Sequence, residues 1–563
     1  MGDLANDVIQ QWERGSTDKV TTLTAWQQIA NYTLPNRSDY LVEKTPGQKR
    51  MTYIYDAMPV WALEQNACGM HSLMTSTSLQ WFFMHCDDDR INANDDVRSW
   101  LNDAASAMYG LFNSPRHNFA SQSYEVYLDL ASIGTACMGV LDSARNDVLF
   151  TTRHMKECVW FENEEDRIDA NIRQWKWTAK QAWAQWREKA GAAVKKALDD
   201  NKPETVFQFL HGVRPRKQRD PQRADAGNME WESVYVSLAD KSEISVSGFQ
   251  EFPYLCPRSS KASGEIYGRG EASIGLPDIQ MLNEFKKLIV KAAQKVIDPP
   301  LQVPDSGFLM AIRTVPGSFN YYRANTTGRI EPIKTGGDIQ LGIEMLNALQ
   351  NQIAKTFYVD MLRMPVDPQD PVSEGKGVTA TYWLQRRDKE MMMLAPTLAR
   401  RQAEFLGPLI DRVFAMLWRK SKRMKFGPGS PFRMPPPQLQ GQKLNIEYVS
   451  PIALAQKSTQ MDGVTRLMQI QSQLKQIDNN SATIIDGEAI LRLASRDWNA
   501  PVEVLKSADQ LQQEAQAKAQ SEAAMANHMA LANVAGAAKD GSAALKNVAQ
   551  AGGMPQQQMQ EAT

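Results

Sequence analysis

Cysteines are few in this sequence, and they do not form a disulfide or metal-binding pattern. The 563 residues contain five of them, an odd number, and no two cysteines are separated by only two residues. This usage disfavours both a disulfide framework and a zinc ribbon, and it favours a reducing compartment. The five thiols are Cys68, Cys86, Cys137, Cys158 and Cys256.

Long apolar segments and an excess of one charge are lacking too. No stretch approaches the ~20 apolar residues that span a bilayer, and Met1-Gly2-Asp3-Leu4 lacks the basic start and apolar core of a signal peptide. The 63 basic side chains nearly balance the 64 acidic ones, for a net charge of −1, which disfavours a protein dominated by a nucleic-acid-binding basic field. We expect a soluble intracellular protein without membrane insertion.

Motifs of common enzyme classes are missing as well. The stretch Gly375-Lys376-Gly377 has neither the upstream glycine nor the Ser or Thr of a Walker A motif. Gly268-Arg269-Gly270 is followed by Gly275, which breaks the dinucleotide-binding spacing, and neither HExxH nor GxSxG occurs. Phosphoryl transfer needs a phosphate cradle or a metal-holding set of carboxylates. We therefore expect no enzyme, no catalytic residue, no cofactor and no metal.

Three polar groups have both a structural and a functional interpretation. His154 and Cys158 have a spacing compatible with zinc, but no second pair lies nearby, which favours ordinary burial. Asp87-Asp88-Asp89 lacks the alternating ligand spacing of a calcium loop, which favours a solvated turn. The charged stretch 214–225 is more typical of a hairpin tip than of a phosphate site.

Helical periodicity dominates the first 150 residues, and a mixed region follows. Trp26, Ile29, Ala30 and Thr33 recur at helical spacing, and the helix should end before Pro35. Apolar runs and period-two alternation beyond residue 147 indicate strands. The sequence predicts an α+β fold that is mainly α-helical. Expected helices cover 59–79, 97–112, 119–140 and 178–198, and expected strands cover 81–84, 148–150, 158–161, 234–237, 244–246 and 444–449.

The middle of the chain combines two helices with an insertion between them. Pro277-Asp278 suits a helix start, and Asp298-Pro299-Pro300 ends the pattern. About 35 residues of strand and turn character follow before Gly336-Gly337-Asp338 begins a second helix. Each helix spans about 20 residues, or ~30 Å. An apolar stripe of this kind is more often part of the core of a single chain than a subunit interface, but two isolated helices cannot shield their apolar stripes alone, so neighbouring subunits would have to cover them.

The last third begins with a long helical pattern and ends in an Ala- and Gln-rich tail. The pattern runs from Thr379 to Trp418, and Pro396 and Pro408 should bend it. From about Leu505 the chain has few large apolar residues, so we expect a helix supported by an oligomer and then disorder.

An ordered set of short motifs resembles a known family. Gly264-Glu265-Ile266-Tyr267-Gly268-Arg269-Gly270 and Leu276-Pro277-Asp278-Ile279 form the first group, and Thr379-Ala380-Thr381 with Leu394-Ala395-Pro396 begins the second. The second group continues through Glu404-Phe405-Leu406 to Pro408-Leu409-Ile410-Asp411-Arg412. In this order they resemble the head-to-tail connector, or portal, proteins of short-tailed bacteriophages (podoviruses), over about residues 10–500.

The resemblance implies the portal fold: a wing, a stem, a clip and a crown, assembled as a dodecameric ring around a central channel. The stem would line the channel, and the clip would dock the packaging motor and later the tail. The implied regions are an N-terminal wing at 1–276, stem helices at 277–298 and 337–360 flanking a clip at 299–336, a tunnel loop at 361–378, a long kinked helix returning to the wing at 379–449, a crown at 450–505 and a tail at 506–563.

The resemblance also directs attention to particular side chains. The stem lysines either face the lumen or pair with acids of the next subunit, and these two possibilities stay open. The candidate channel-facing residues are Lys286, Lys287, Lys291, Lys295, Arg363 and Lys376, and the candidate subunit-interface residues are Phe285, Ile289, Ile343 and Leu346.

The implied partners are those of a capsid vertex. They are further copies of this chain, the major capsid protein, a scaffolding protein, the terminase large subunit, and tail adaptor or nozzle proteins. Double-stranded DNA would pass without sequence specificity. The implied location is the portal vertex of the virion, reached by assembly in the host cytoplasm.

Two other classes of protein fit the sequence less well. A packaging motor or nuclease is disfavoured by the missing phosphate loop and metal carboxylates. A helical scaffold or internal virion protein without a channel would more naturally lack the α+β region and the order helix, insertion, helix.

Overall fold

The computed structural model describes residues 3–302, 331–332, 339–362 and 393–448, apart from 46, 93, 144–146, 221–222, 224, 440 and 442–443; it also describes the helical residues 517, 520 and 521. The chain divides into two compact units, Met1–Ala455 and Gln456–Thr563, and the elements below belong to the first. Most of the predicted clip, the tunnel loop beyond residue 362, the crown and nearly all of the tail lie outside the described residues.

The N-terminal helices follow the apolar periodicity closely. In α2, the four residues predicted from helical spacing are the buried ones, and the helix ends at Thr33, as predicted. The start of α5 is capped by Asn94, whose side chain accepts hydrogen bonds from the backbone N–H groups of Asp96 and Val97. The first six helices are α1 (Asp3–Asp18), α2 (Val20–Thr33), α3 (Met58–Met74), α4 (Asp89–Asn92), α5 (Asp95–Asn113) and α6 (Phe119–Ser132).

The helix predicted over 119–140 is wrong in its last third. It ends at Ser132, and the chain then turns at Gly134, which has a φ of +78°. A Cβ at this glycine would stand 2.1 Å from the backbone carbon of Arg269, so the turn requires both the left-handed conformation and the missing side chain. The apolar run after the turn forms a strand, β2 (Cys137–Ser143), instead of a helix.

A five-stranded antiparallel sheet forms most of the mixed region. Its strands pair in chain order, each with the next, from β4 to β8. The expected strands at 158–161, 234–237 and 244–246 are confirmed, whereas β5 and β6 were not predicted. The charged stretch 214–225 begins at the end of β6 and continues into the connection to β7, as expected for a hairpin tip. The strands are β4 (Cys158–Glu162), β5 (Ile168–Thr178), β6 (Val206–Pro215), β7 (Trp231–Ser237) and β8 (Ser242–Phe249).

Two helices cover one part of this sheet, where one helix was predicted. The backbone leaves the helical conformation at Arg187, with a φ of +50°, and again at Gly191, with a φ of +107°. A left-handed residue interrupts the hydrogen-bond ladder of a right-handed helix. The resulting helices are α7 (Ala179–Trp186) and α8 (Ala192–Asp199).

The C-terminal part of the first unit packs back onto the N-terminal helices. Residues 393–401 are helical, a single π turn covers Gln402–Leu406, and α12 runs over Gly407–Arg423. The π turn lies directly before Pro408, one of the two prolines predicted to disturb this helix, because proline has no N–H to continue the ladder. Phe405, Leu409 and Val413 then join the core formed by α3, α5 and α6.

Smaller sheets tie distant parts of the chain together. The strand predicted at 444–449 pairs antiparallel with the early strand β1, so the chain returns to its N-terminal region. Strands β3 and β9 flank β2 in a second sheet. The strands are β1 (Phe82–Cys86), β2 (Cys137–Ser143), β3 (Asp147–Arg153), β9 (Tyr254–Leu255), β10 (Leu301–Gln302), β11 (Glu331–Pro332) and β12 (Leu444–Tyr448).

The two central helices are observed, with one changed boundary. Helix α9 covers Glu271–Ile297 and begins six residues before its predicted start, so Pro277 lies inside it. With 27 residues, α9 is about 40 Å long rather than ~30 Å. Helix α10 covers Ile339–Thr356, and a short helix, α11 (Val359–Leu362), follows it.

Candidate functional site

Helices α9 and α10 form an antiparallel hairpin. Near the start of α9, the Asp278 carboxylate accepts a hydrogen bond of 2.9 Å from Gln352, close to the end of α10. Towards the other end, a Cβ on Gly342 would stand 3.3 Å from the Ile289 side chain. Beyond the helices, β10 pairs with β11, so the two ends of the insertion also meet. The predicted helix, insertion and second helix therefore fold as a hairpin.

The base of α9 is held by an ion pair inside the protein. Glu271, the first residue of the helix, accepts a hydrogen bond of 3.1 Å from the Arg401 guanidinium, and both side chains are buried. Burial raises the pKa of Glu271, and the charge of Arg401 opposes that rise. Because both charges have left water, removing one would leave the other unpaired at high cost.

A second ionic cluster lies just before α9. Arg258 is buried and donates hydrogen bonds to both carboxylate oxygens of Glu404, in the π turn, at 3.0–3.1 Å. It also pairs with Glu162 at the end of β4. Burial alone would lower the pKa of Arg258, but the two carboxylates raise it overall. The cluster joins the five-stranded sheet, the π turn and the segment leading into α9.

A segment that begins with a turn, residues 51–57, crosses the hairpin on one side; we call it the strap. Asn283 of α9 is buried and clamps its backbone: it accepts a hydrogen bond from the Tyr55 N–H and donates one to the Tyr53 carbonyl, both at 2.7 Å. Asp56 of the strap accepts a hydrogen bond of 2.9 Å from Gln350 of α10 and lies 3.8 Å from the Lys286 ammonium. The strap thus contacts both helices.

Three large strap side chains remain outside, although the backbone is firmly held. Met51 is 56% exposed, Tyr53 59% and Tyr55 50%. The Lys287 ammonium lies 5.6 Å from the centre of the Tyr55 ring. Exposed apolar side chains grouped in one place are typical of interaction surfaces.

A second exposed apolar surface runs along α9 and consists of Ile274, Met281 and Leu288; we call it the ridge. The three are spaced seven residues apart and are 70%, 48% and 58% exposed, so they form one line along the helix. Asn283 points to the strap, and the ridge lies about 140° to 180° around the helix axis from it at 3.6 residues per turn. The ridge and the strap therefore lie on nearly opposite sides of α9.

The predicted channel-facing lysines fall into two classes. Lys286 pairs with Asp56, and Lys287 lies 3.2 Å from Glu284, so both have acidic partners within the same chain. Lys291 and Lys295 are exposed and make no ion pair in the described part of the chain. The remaining two candidates, Arg363 and Lys376, lie outside the described residues.

The predicted interface residues are also divided by the structure. Leu346 is buried in the core of the single chain, and Ile289 packs against α10, so the chain itself covers most of their apolar surface. Phe285 is half-buried beside the ridge. Ile343 is exposed and lies two turns from Gln350, on the side of α10 that contacts the strap.

Sequence reasoning missed the ridge and the strap. The ridge had a signal, the seven-residue spacing of Ile274, Met281 and Leu288, but the predicted helix start at Pro277 excluded the first of them. The strap had no local signal, because it is held by a side chain more than 200 positions away.

The residues that could bind a metal according to the sequence do not form a cluster of metal ligands in the described ranges. No three His, Cys, Asp or Glu side chains there come together as metal ligands. His154 instead caps a short turn, accepting a hydrogen bond from the Lys156 N–H, and Asp87 and Asp88 are exposed. None of the described helices is both long enough and apolar enough to cross a membrane.

Comparison with known proteins places this geometry in a family. Residues 5–505 match the family of bacteriophage head to tail connecting proteins, and the match includes the whole hairpin. The chain belongs to this family. The resemblance seen in the ordered motifs is thereby confirmed.

Two relatives are similar to the chain over most of its length, one of them over nearly all of it. The chain is 29% identical to a probable portal protein of Bordetella phage BPP-1 over 470 residues, which cover 82% of this chain and 81% of that protein. It is 25% identical to the portal protein of Salmonella phage epsilon15 over 566 residues, covering 98% of this chain and 99% of that protein.

Proposed function

We propose that this chain is the portal protein of a short-tailed bacteriophage: a ring at one capsid vertex through which DNA enters during packaging and leaves during ejection. The α9–α10 hairpin, in a chain that matches the connector family over residues 5–505, carries this proposal. Two relatives called portal proteins, one alignable over almost the whole chain, support it.

The ring would be built from the exposed half of the hairpin. The base of α9 lies in the core of one chain, whereas Leu288, Val290, Val296 and Ile297 are exposed along its second half. Neighbouring copies would remove this apolar surface from water, at roughly 25 cal/mol for each Å². By analogy with the family, the ring has twelve copies.

The channel wall would make weak contacts with DNA. Each neutralised phosphate adds salt-sensitive affinity through counterion release, and a wall that grips phosphate would slow passage. Lys291 and Lys295 are the described lysines best suited to face the channel, because Lys286 and Lys287 already have acidic partners. Arg363 and Lys376 are proposed as further channel contacts.

The remaining regions would serve assembly. The clip, 299–336, would dock the terminase large subunit during packaging and tail adaptor or nozzle proteins afterwards. The wing would meet the major capsid protein and scaffolding protein. The protein would act in the virion as a structural conduit without catalysis of its own.

Electron microscopy of the purified full chain, with a mass measurement, tests the proposal. Class averages should show closed rings with a central hole, and twelve copies of the 63.2 kDa chain would have a mass of about 0.76 MDa. A folded chain that stays a single copy at every concentration would contradict it.

Weak DNA contact is tested separately on the same rings. Duplex binding should lack nanomolar affinity at physiological salt. A nanomolar complex would contradict a channel built for sliding, while leaving the ring itself intact.

A further inference from the structure

The hairpin carries two exposed apolar surfaces that differ in composition and lie on nearly opposite sides of α9. The ridge is aliphatic and lies on one helix, whereas the strap is rich in tyrosine and lies outside helices and strands. A two-fold contact uses the same patch on both partners, whereas a ring that closes by rotation needs two different patches on each copy. A chain with two unlike surfaces facing away from each other suits the second kind of contact.

We propose that the ridge of one copy packs against the strap of the next, so that neighbouring copies join head to tail around the ring. This inference rests on the proposed ring and names the surfaces that would form it. Tyr53 and Tyr55 at the strap supply large contact area with little conformational entropy to lose, and the flexible Met51 can adapt to the surface that it meets. Ile274, Met281 and Leu288 offer a continuous aliphatic line to receive them.

The fixed backbone of the strap supports its role as a presented surface. Asn283 binds the backbone of the strap, and Gln350 binds the Asp56 carboxylate. The three large side chains of the strap remain exposed. A surface that is ordered before contact loses less entropy when the contact forms.

Charge at the margins of the two surfaces is complementary. Lys49 is exposed next to the strap, and the following residue, Arg50, is half-buried and pairs with Asp39. Beside the ridge, the exposed Glu284 of α9 lies 3.2 Å from Lys287 of the same chain, and on α10 the exposed Glu344 adjoins the exposed Met345. Complementary charges of this kind guide register more than they add affinity.

The arrangement also leaves one face of α9 for the channel. Lys291 and Lys295 lie about 80° to 120° around the axis from Asn283, between the strap and the ridge. With ridge and strap covered by neighbours, this face stays open. The proposed contact and the proposed channel residues thus fit the same helix without competing for a surface.

A mixing experiment with two full-length variants tests the contact. One variant carries Met281→Asp and Leu288→Asp in the ridge, and the other carries Met51→Asp and Tyr53→Asp in the strap. All four residues are about half exposed or more in the single chain, so both variants should fold, as circular dichroism would verify. Met434→Asp, at a residue 75% exposed and outside both surfaces, is the matched control and should assemble like the parental chain.

Each variant alone should remain a single copy, and an equimolar mixture should give a two-copy complex. In that complex the intact strap of one variant meets the intact ridge of the other, and both outer ends are blocked. Analytical ultracentrifugation, at concentrations where the parental chain forms rings, measures the masses.

Two outcomes overturn the inference and leave the proposed function standing: strap variants that still form rings, or a mixture that stays as single copies. Failure of the parental chain to form any ring would instead contradict the proposed function.

Discussion

The two halves of α9 differ in what holds them. Residues 271–283 begin at a buried ion pair, end at a buried asparagine and contribute Ile279 and Leu282 to the core of the single chain. Residues 284–297 carry exposed apolar and basic side chains. The chain therefore anchors the base of the hairpin by itself, except for the exposed ridge residues Ile274 and Met281, and leaves much of the outer half exposed, where the proposed neighbouring copies would pack. Stability and assembly should accordingly respond to different substitutions.

Removing the ion pair at the base should have the largest effect on stability. Arg401→Met leaves Glu271 buried without its charged partner, so the free energy of unfolding should fall by about 3–5 kcal/mol. Urea unfolding measures the change. Arg400→Met, at the neighbouring half-buried residue, is the control and should cost far less.

A double variant separates the pair from its surroundings. Glu271→Leu together with Arg401→Met should recover much of the lost stability, because two apolar side chains replace the buried ions. If Arg401→Met alone were as stable as the parental chain, the base would not depend on this ion pair.

Lowering the pH should destabilise the buried part of the chain around His211 before it affects the exposed half of α9. His211 is buried, with its ring nitrogens 2.9 Å from Tyr254 Oη and Ser233 Oγ, and burial lowers its pKa to about 3, with Arg173 and Arg153 adding to the shift. Between pH 6.5 and 3 the unfolded chain binds the extra proton, so stability falls as pH falls, by about 1.4 kcal/mol for each pH unit.

The variant His211→Gln isolates this contribution, because glutamine does not titrate. The difference in unfolding free energy between parental chain and variant should shrink steadily below pH 6.5. A difference that stayed constant from pH 7 to pH 4 would mean that His211 charges freely in the folded protein.

Releasing the strap should have an intermediate effect. Asn283→Ala removes both backbone hydrogen bonds to the strap and leaves a buried site without its polar partner, at a cost of about 1–3 kcal/mol. Trypsin should then cleave at Lys49 and Arg50 much faster. Gln294→Ala, at an exposed residue of the same helix, is the control and should leave the cleavage rate unchanged. Equal cleavage rates in the two variants would mean that Asn283 does not hold the strap.

The exposed lysines should have the smallest effect on stability. Lys291→Gln with Lys295→Gln should change the free energy of unfolding by less than about 0.5 kcal/mol. In assembled rings, the salt dependence of duplex binding should drop by a slope of about 0.9 for each lysine that contacts a phosphate. An unchanged salt dependence would mean that neither lysine contacts DNA in the channel.

Local patterns predicted much of the fold, and contacts between distant residues account for what was missed. The spacing of Trp26, Ile29 and Ala30 was sufficient for α2, and the apolar runs at 158–161 and 444–449 were sufficient for strands. The helix predicted over 119–140 was wrong beyond Ser132 because the left-handed turn at Gly134 is imposed by the approach of Arg269, far along the chain.

The candidate site was predicted less completely than the fold. The hairpin followed from the placement of proline, glycine and acid at helix ends, but composition does not reveal which faces the chain covers itself. Leu346 and Ile343 belong to the same apolar stripe, yet one is buried and the other exposed. Their different burial depends on how α3 and the strap pack against α10, which the local sequence does not indicate.

Oxidation of Met281 in assembled full-length rings tests most directly whether neighbouring copies cover the ridge. After hydrogen peroxide treatment, mass spectrometry compares conversion of Met281 to the sulfoxide with conversion of Met434, which lies outside both surfaces. In rings, Met281 should be protected and Met434 should not, and the protection should disappear in the single copies of the Met51→Asp, Tyr53→Asp variant. Equal oxidation of Met281 in rings and in single copies would contradict the proposed role of the ridge.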